Sequence, residues 1–398
     1  MPLAPGLPYW RLSGYYFFYF AYVGAFSPYF GLYLQSLGLT AWDIGLLMTQ
    51  SQVMRLFAPA LWGWFADRTG KRLPVVRWTS VAAVLGFCGF FFAERFATLM
   101  AAMIGMAFFW SAALPLVESL TFDHLKSEAG RYSRIRMWGS VGFIIAVAAG
   151  GALLDRLPIA AIVPIVATVL AGISALAFTL PETRGGLHHE AAPGGLRQIL
   201  RQPRVLALLA ACFCMSATHG ALYVFYSIYL SDYGYSKAMV GGMWCLGVLA
   251  EIAVFFYMAR LMRRFTLRQI LLASLAAAVL RFVMIGWGIG SLTVLVAAQL
   301  LHGITFGAYH AAAIAAVNRW FPGRTQARGQ ALYSSLSFGA GGLVGGMISG
   351  YLWDEIGPAW VYTLSAGFAV IGWLLAARWV REEPPEVTPS ASIKGETA

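Results

Sequence analysis

Charge is scarce in this sequence. Only 11% of its 398 residues are charged, and acids are outnumbered, 17 Asp and Glu against 28 Lys and Arg. A soluble chain carries about a quarter of its residues as charges, so 59% hydrophobic and 15% aromatic content places this one among polytopic membrane proteins. Cysteine is sparse too. Cys88, Cys212, Cys214 and Cys245 all lie within apolar runs, where Cys acts as a small hydrophobe, so neither a disulfide framework nor a metal site is indicated. The net charge of +11 does not point to nucleic acid, because the bases come in short groups between apolar runs rather than on one soluble face. No basic residue precedes Arg11, and the first apolar run outlasts a signal peptide, so it reads as a first membrane helix with a short leader.

Runs long enough to cross ~30 Å of hydrocarbon lie near 12–36, 42–66, 74–93, 97–121, 132–153 and 158–180, then near 204–230, 237–259, 268–289, 292–316, 327–351 and 358–379. Twelve helices put both termini on one side. With the even loops and both ends in the cytoplasm, 23 of the 28 Lys and Arg fall there, the bias expected of a specified orientation. Arg95, Arg156 and Lys237 fall on the other side, and Arg55 and Arg281 stay inside the membrane.

A ten-residue polar hinge lies between the second and third runs, Gly63 to Arg72, Gly-Trp-Phe-Ala-Asp-Arg-Thr-Gly-Lys-Arg. Asp67, Arg68, Lys71 and Arg72 require water. Gly63, on the last turn of a helix, removes a side chain where another helix can approach, and Gly70 permits a turn with positive φ. A generic basic loop accounts for the charges but not for the glycine spacing. Gly-x-x-x-Asp-Arg-x-Gly-Lys-Arg resembles the loop between helices 2 and 3 of the major facilitator superfamily of transporters. That resemblance implies an all-α fold of twelve transmembrane helices in two six-helix halves related by a pseudo-two-fold axis. It also implies that Gly63, Asp67, Arg68, Gly70, Lys71 and Arg72 gate the conformational cycle.

The halves repeat. At an offset of 196, Tyr33, Leu34, Gly38, Thr40 and Gly45 fall on Tyr229, Leu230, Gly234, Ser236 and Gly241, and at 199 Gly130, Gly142, Gly151 and Asp155 fall on Gly329, Gly341, Gly350 and Asp354. Shared glycine and turn positions, unlike shared apolarity, indicate a parallel repeat. The halves are assigned to 1–190 and 204–398, with 191–203 as the end of a solvated linker that begins Pro181-Glu182-Thr183-Arg184. His188, His189 and Glu190 in that linker lack a further ligand, so a solvated loop is expected there rather than a metal site. The tail from Arg381 is expected to be disordered.

Ionisable groups inside membrane helices cost ~2.5–3.5 kcal/mol each on insertion scales and need partners or a watery cavity. Here they are Arg55, Glu118, Arg134, Arg136, His219, Glu251, Arg281, His302 and His310. Arg134 is expected to snorkel to the surface. Arg136-Met-Trp-Gly-Ser140 resembles the helix 5 signature of the 3-phenylpropionic acid transporter group, within the proton-symporter branch that contains lactose permease. Pro115 to Leu120, Leu246 to Glu251, Arg281, His302 and His310 are similar to that group as well, although the group can carry Asp at the position of Glu118. The resemblance implies a permease of the bacterial inner membrane, with Glu118 and Arg136 at the substrate and Glu251, Arg281, His302 and His310 in proton coupling.

The residues themselves agree in part. A Glu251–Arg281 pair that separates during transport would gain and lose a proton, and a histidine could relay it. Eight residues at about 100° each leave His302 and His310 some 80° apart, so at most one is expected to face the cavity, the other bonding a neighbouring helix. If Glu118 neutralises Arg136 and Glu251 neutralises Arg281, Arg55 is a spare cation that favours an anionic substrate. His219, central in helix 7, is a further candidate to bind it. The Tyr15, Tyr19, Tyr22, Phe26, Tyr29 stripe is expected to be packing more than ligand cage.

The expected function is secondary active transport by alternating access, proton-coupled uptake of a small organic substrate such as 3-phenylpropionate, by a monomer needing no cofactor beyond the proton. Sugar or nucleoside symport and efflux of amphipathic compounds stay open. A membrane enzyme would need a nucleophile with its base, a metal set or paired carboxylates. Asp123 and His124, with no evident partner, come nearest. A non-transporting sensor would need room for a signalling domain.

Overall fold

A computed structural model describes residues 7–125, 131–182 and 196–381, and the regular elements among them are all helical. Twelve long rods follow in chain order. They are α1 Tyr9–Ser36 and α2 Ala41–Thr69, then α3 Arg72–Phe91, α4 Phe96–Leu125, α5 Tyr132–Leu154, α6 Ile159–Thr179, α7 Pro203–Asp232, α8 Lys237–Arg264, α9 Leu267–Trp287, α10 Leu292–Trp320, α11 Gln326–Ile356 and α12 Pro358–Trp379. A short helix, Leu196–Leu200, precedes α7. Ten of the twelve are long and apolar enough to cross a membrane. The other two, α1 and α2, have the length, 28 and 29 residues, but tyrosines and the polar Asp43, Gln50, Gln52 and Arg55 lower their apolarity. Lys126, Gly130, Arg184, His188, His189, Glu190 and the tail beyond Arg381 lie outside the described residues.

The rods turn at two ends. The basic end carries the Gly63–Arg72 hinge, the start of α1 and the end of α12, and the far end carries the turns at Gly38 and Gly234. Gly38 and Gly234, equivalent in the repeat, take φ of 77° and 92°, a conformation that glycine adopts without strain. Two residues later Thr40 and Ser236 cap α2 and α8 by accepting from the backbone N–H of Asp43 and Met239.

Among the described residues, hydrogen bonds between the halves cluster towards the far end. Gln35 Nε2 donates to Asp232 at 3.0 Å. Asp155, at the end of α5, accepts from the N–H groups of Lys237 and Ala238 at 2.7 and 3.0 Å. Asp354, at the end of α11, accepts from the N–H of Ala41 at 3.3 Å. Between these caps the backbones nearly touch, since a Cβ on Gly45 would meet the Cα of Gly350 at 3.1 Å. At the basic end a Cβ on Gly63 would meet nothing within 4 Å, and Asp67, Arg68 and Lys71 are exposed. The halves are clasped at the far end and splayed at the basic end.

Gly70 has φ 65° at the C-cap of α2, as the turn required, but Gly63 does not pack on the second half in this conformation. Arg68 leans on Trp64, 5.5 Å from its ring centre. Arg72 is buried against Asp123 of α4 in an ion pair. Beside it Glu182 accepts from the N–H of Leu73 at 3.1 Å and Arg77 donates to the carbonyls of Ala177, Phe178 and Leu180, while His124 meets the Pro181 carbonyl at 3.2 Å. Asp123 and His124 thus have partners that the sequence did not reveal, and these contacts lock α3, α4 and α6 into one body.

Candidate functional site

Four rods lose regular α-geometry midway. α4 breaks at Ser111–Ala112 and α7 at His219, while α10 and α11 widen into π turns at Gly303–Ala308 and Ser335–Gly341. Irregular helix at membrane depth is tolerated where it lines a cavity or is buried in protein. A cavity of about 260 Å³ lies here between the halves. The first half supplies Phe20, Val23 and Ser27 from α1 and Arg136, Ser140 and Phe143 from α5. The second supplies Leu222, Tyr223 and Tyr226 from α7, Trp244, Gly247, Val248 and Glu251 from α8, Arg281 from α9, and Gln299, His302 and Phe306 from α10. The volume falls just below the ~300–1,000 Å³ usual for small-ligand pockets, so it suits a compact guest.

Arg281 is buried and held by neutral acceptors. Its Nε donates to the Ala298 carbonyl at 2.9 Å, Nη1 to Thr305 Oγ1 at 3.0 Å and His219 Nε2 at 3.3 Å, and Nη2 to Gln299 Oε1 at 3.1 Å. A guanidinium only donates, so His219 Nε2 accepts, and its Nδ1 carries the proton that goes to the Met215 carbonyl at 2.8 Å. His219, expected as a substrate contact, is accordingly a neutral prop under Arg281 and lies off the cavity wall in this conformation. The expected Glu251–Arg281 ion pair is absent as well. Three rods, α7, α9 and α10, converge on the guanidinium, and their neutral polar groups take four of its five N–H donors.

Glu251 instead faces His302, with Oε2 3.7 Å from Nε2. Small residues let α8 close on α10 here: a Cβ on Gly303 would strike the Ala250 carbonyl at 2.5 Å, and one on Gly247 would meet His302 and Gln299 at 3.3 Å. Below His302, Phe306 and His310 continue a stack with ring centres 5.4 and 5.8 Å apart and planes within 15°. The two histidines therefore share a face, contrary to the 80° separation expected. The π turn advances each residue by less than 100°, so eight residues close nearly two full turns. Only His302 reaches the cavity; His310 Nδ1 is bonded to Tyr333 of α11 at 2.9 Å.

In the first half, Arg136 lines the cavity with its Cζ 3.8 Å above the Phe20 ring centre, a cation–π contact. Glu118 accepts from Tyr132 at 2.8 Å and does not line the cavity, so the expected Glu118–Arg136 ion pair gives way to two separate contacts. Arg55 is exposed and also off the cavity wall. The spare positive charge is thus in the cavity itself, where Arg136 and Arg281 face Glu251. Arg134 is exposed near the basic end, as snorkelling requires.

The α1 tyrosine stripe is packing. Tyr15, Tyr19, Tyr22 and Tyr29 are buried, Tyr19 stacks on Trp110, and Tyr29 donates to the Val147 carbonyl at 2.6 Å. The cavity face of α1 is the neighbouring one, through Phe20, Val23 and Ser27. Two further lining residues, Trp244 and Gln299, carry a signal in their helical spacing. Trp244 precedes Glu251 by seven residues, two turns along α8, and Gln299 precedes His302 by one turn of α10.

A model of the MFS_1 like family matches residues 9–364. The chain is 31% identical, over 96% of its length and 98% of the other, to an Escherichia coli (strain K12) protein named as a probable 3-phenylpropionic acid transporter. It is 27% identical to the maltose permease of Geobacillus stearothermophilus, over 93% of this chain and 94% of that one. Among solved structures, a mutant of the nucleoside transporter NupG superposes with a TM-score of 0.84 at 17% identity, over 94% of this chain and 100% of that one, a likeness of fold.

Proposed function

The chain belongs to the MFS_1 like family, and we propose that this membrane transporter couples the entry of a small organic anion to the entry of protons, an aromatic carboxylate such as 3-phenylpropionate being the leading substrate. It is a multi-pass membrane protein and not an enzyme. The observation that carries the reading is the charge balance of the central cavity: two arginines against one glutamate, between aromatic walls. A cation without a carboxylate partner in a low-dielectric site favours an anionic guest, and Phe20, Phe143 and Trp244 offer faces to a ring. The name of the Escherichia coli relative supports the same choice.

In this reading the basic loops and both termini lie in the cytoplasm of a bacterial inner membrane, by the distribution of Lys and Arg. The clasped far end then faces outward, and the conformation is open to the cytoplasm. The proton is the coupling ion and no other cofactor takes part. Glu251 beside His302 is the pair that gains and loses it, as rearrangement of α8 against α10 changes the carboxylate's surroundings. The cavity is walled by both halves of one chain, so a monomer suffices.

Proteoliposomes loaded at neutral pH and diluted into acidic buffer test this directly. Labelled 3-phenylpropionate should accumulate, and collapse of the gradient by a protonophore should abolish the accumulation. A neutral polyol is the second reading, favoured by the NupG-like fold and by Glu251 and Gln299 as acceptors for hydroxyl groups. Accumulation of a nucleoside or a sugar, with the acid ignored, would select it. Expulsion of substrate under the opposite gradient alone would select efflux.

A further inference from the structure

Two buried donors on one side of the cavity have no acceptor. Arg281 has five N–H groups, and its neutral partners take one on Nε, two on Nη1 and one on Nη2, leaving one hydrogen of Nη2. Tyr226 is 1% exposed, and its hydroxyl has no hydrogen-bond partner. Both residues line the cavity. Tyr226 follows His219, the prop of Arg281, by seven residues on α7, beyond the break in that rod. Beside them the Nδ1 of His302 is also buried without a partner. Buried polar groups are almost always bonded, and an unsatisfied set that borders one cavity is what a bound ligand would complete.

We propose that the carboxylate of the transported anion docks on Arg281 and Tyr226, one oxygen on the remaining Nη2 hydrogen and the other on the Tyr226 hydroxyl. This rests on the anion reading above and moves the charged head from Arg136 to the second half. Arg136 already has its guanidinium on the Phe20 ring at 3.8 Å, whereas Arg281 carries a charge that only neutral acceptors meet. The head group then lies in the half that holds Glu251 and His302, so the substrate, on α7 and α9, and the proton, on α8 and α10, line one cavity from rods of the same half. The aromatic walls on the α1, α5 and α8 side remain for the ring.

The test is binding of 3-phenylpropionate and its uncharged amide to purified protein in lipid nanodiscs, for the wild type, Tyr226→Phe and Arg281→Lys. A hydrogen bond to a charged group that is lost should weaken the acid about tenfold or more in Tyr226→Phe, and the amide by less than about threefold. Arg281→Lys, which keeps the charge but loses the planar fork, should weaken the acid further still. Acid binding that is unchanged in Tyr226→Phe, or acid and amide losses of equal size, overturns the docking site. A wild type that binds the amide but not the acid overturns the anion reading and the docking site with it, an outcome distinct from a wild type that binds the acid and a variant that binds it equally well.

Discussion

Asp155 and Asp354 make the same contact twice. Each ends a rod of one half, α5 or α11, and caps the first residues of a rod in the other half, α8 at Lys237 and Ala238 or α2 at Ala41. The caps are equivalent in the repeat, and both place a carboxylate at the positive end of a helix dipole. The duplicated chain thus closes its far end with two copies of one latch, of which Asp155 holds two N–H groups and Asp354 one.

Loss of either latch should favour opening of the far end. An N-terminal cap is worth about 1 kcal/mol, about fivefold in population, and Asp155→Ala should shift the balance more than Asp354→Ala. Spin labels at Leu37 and Tyr233, in the turns that meet there, would report a growing long-distance component. Unchanged distance distributions in both variants would remove the aspartates from gating.

Gly63 stands in open space in this conformation, so Gly63→Leu should leave the protein folded and substrate binding within about threefold. Closing the basic end brings α2 towards the second half, where the added side chain should obstruct it and slow turnover at least about tenfold. Turnover equal to wild type would mean that the hinge never packs there. Asp67→Asn is expected to act in the same direction, with affinity held and turnover reduced.

Glu251→Gln mimics a permanently protonated carboxyl. It should still exchange labelled for unlabelled substrate, a step that needs no proton release, yet fail to accumulate substrate against a gradient. Both measurements belong on the same vesicles. Intact accumulation would take Glu251 out of the coupling role, and loss of both activities would make it structural.

The histidines should separate cleanly. His302→Gln is expected to abolish proton-driven accumulation, because it removes the group facing Glu251. His310→Gln should leave accumulation largely intact and lower the melting temperature through the lost bond to Tyr333, worth about 1 kcal/mol. Equal loss of accumulation in both would extend the proton path along the whole stack.

Depth along the membrane was legible in the sequence, and direction around each helix was not. The apolar runs, the turn at Gly70 and the repeat placed Arg136, Glu251, Arg281 and His302 inside membrane helices, because hydrophobic length and glycine spacing are local properties. Pairing is not local. Whether Arg281 meets Glu251 or His219 depends on how three rods converge, and Glu118 found Tyr132 on the adjoining rod. The phase of His310 depended on a π turn, which the glycines at 303 and 307 permit but do not announce. The two aspartates appeared in the repeat as matched letters, and only the meeting of the halves revealed what they hold.

A π turn is an α-helix that holds one residue too many, so each such turn is stored slack. α10 carries one between the histidines and α11 another between Tyr333 and the Gly45 contact with Gly350. If the surplus residue passes along the rod, the part beyond it rotates by about 100° and advances by about 1.5 Å while the far end stays clasped. Two neighbouring rods able to slip in this way form a ratchet inside the second half, able to turn His310 away from the His302 column without unlatching either aspartate.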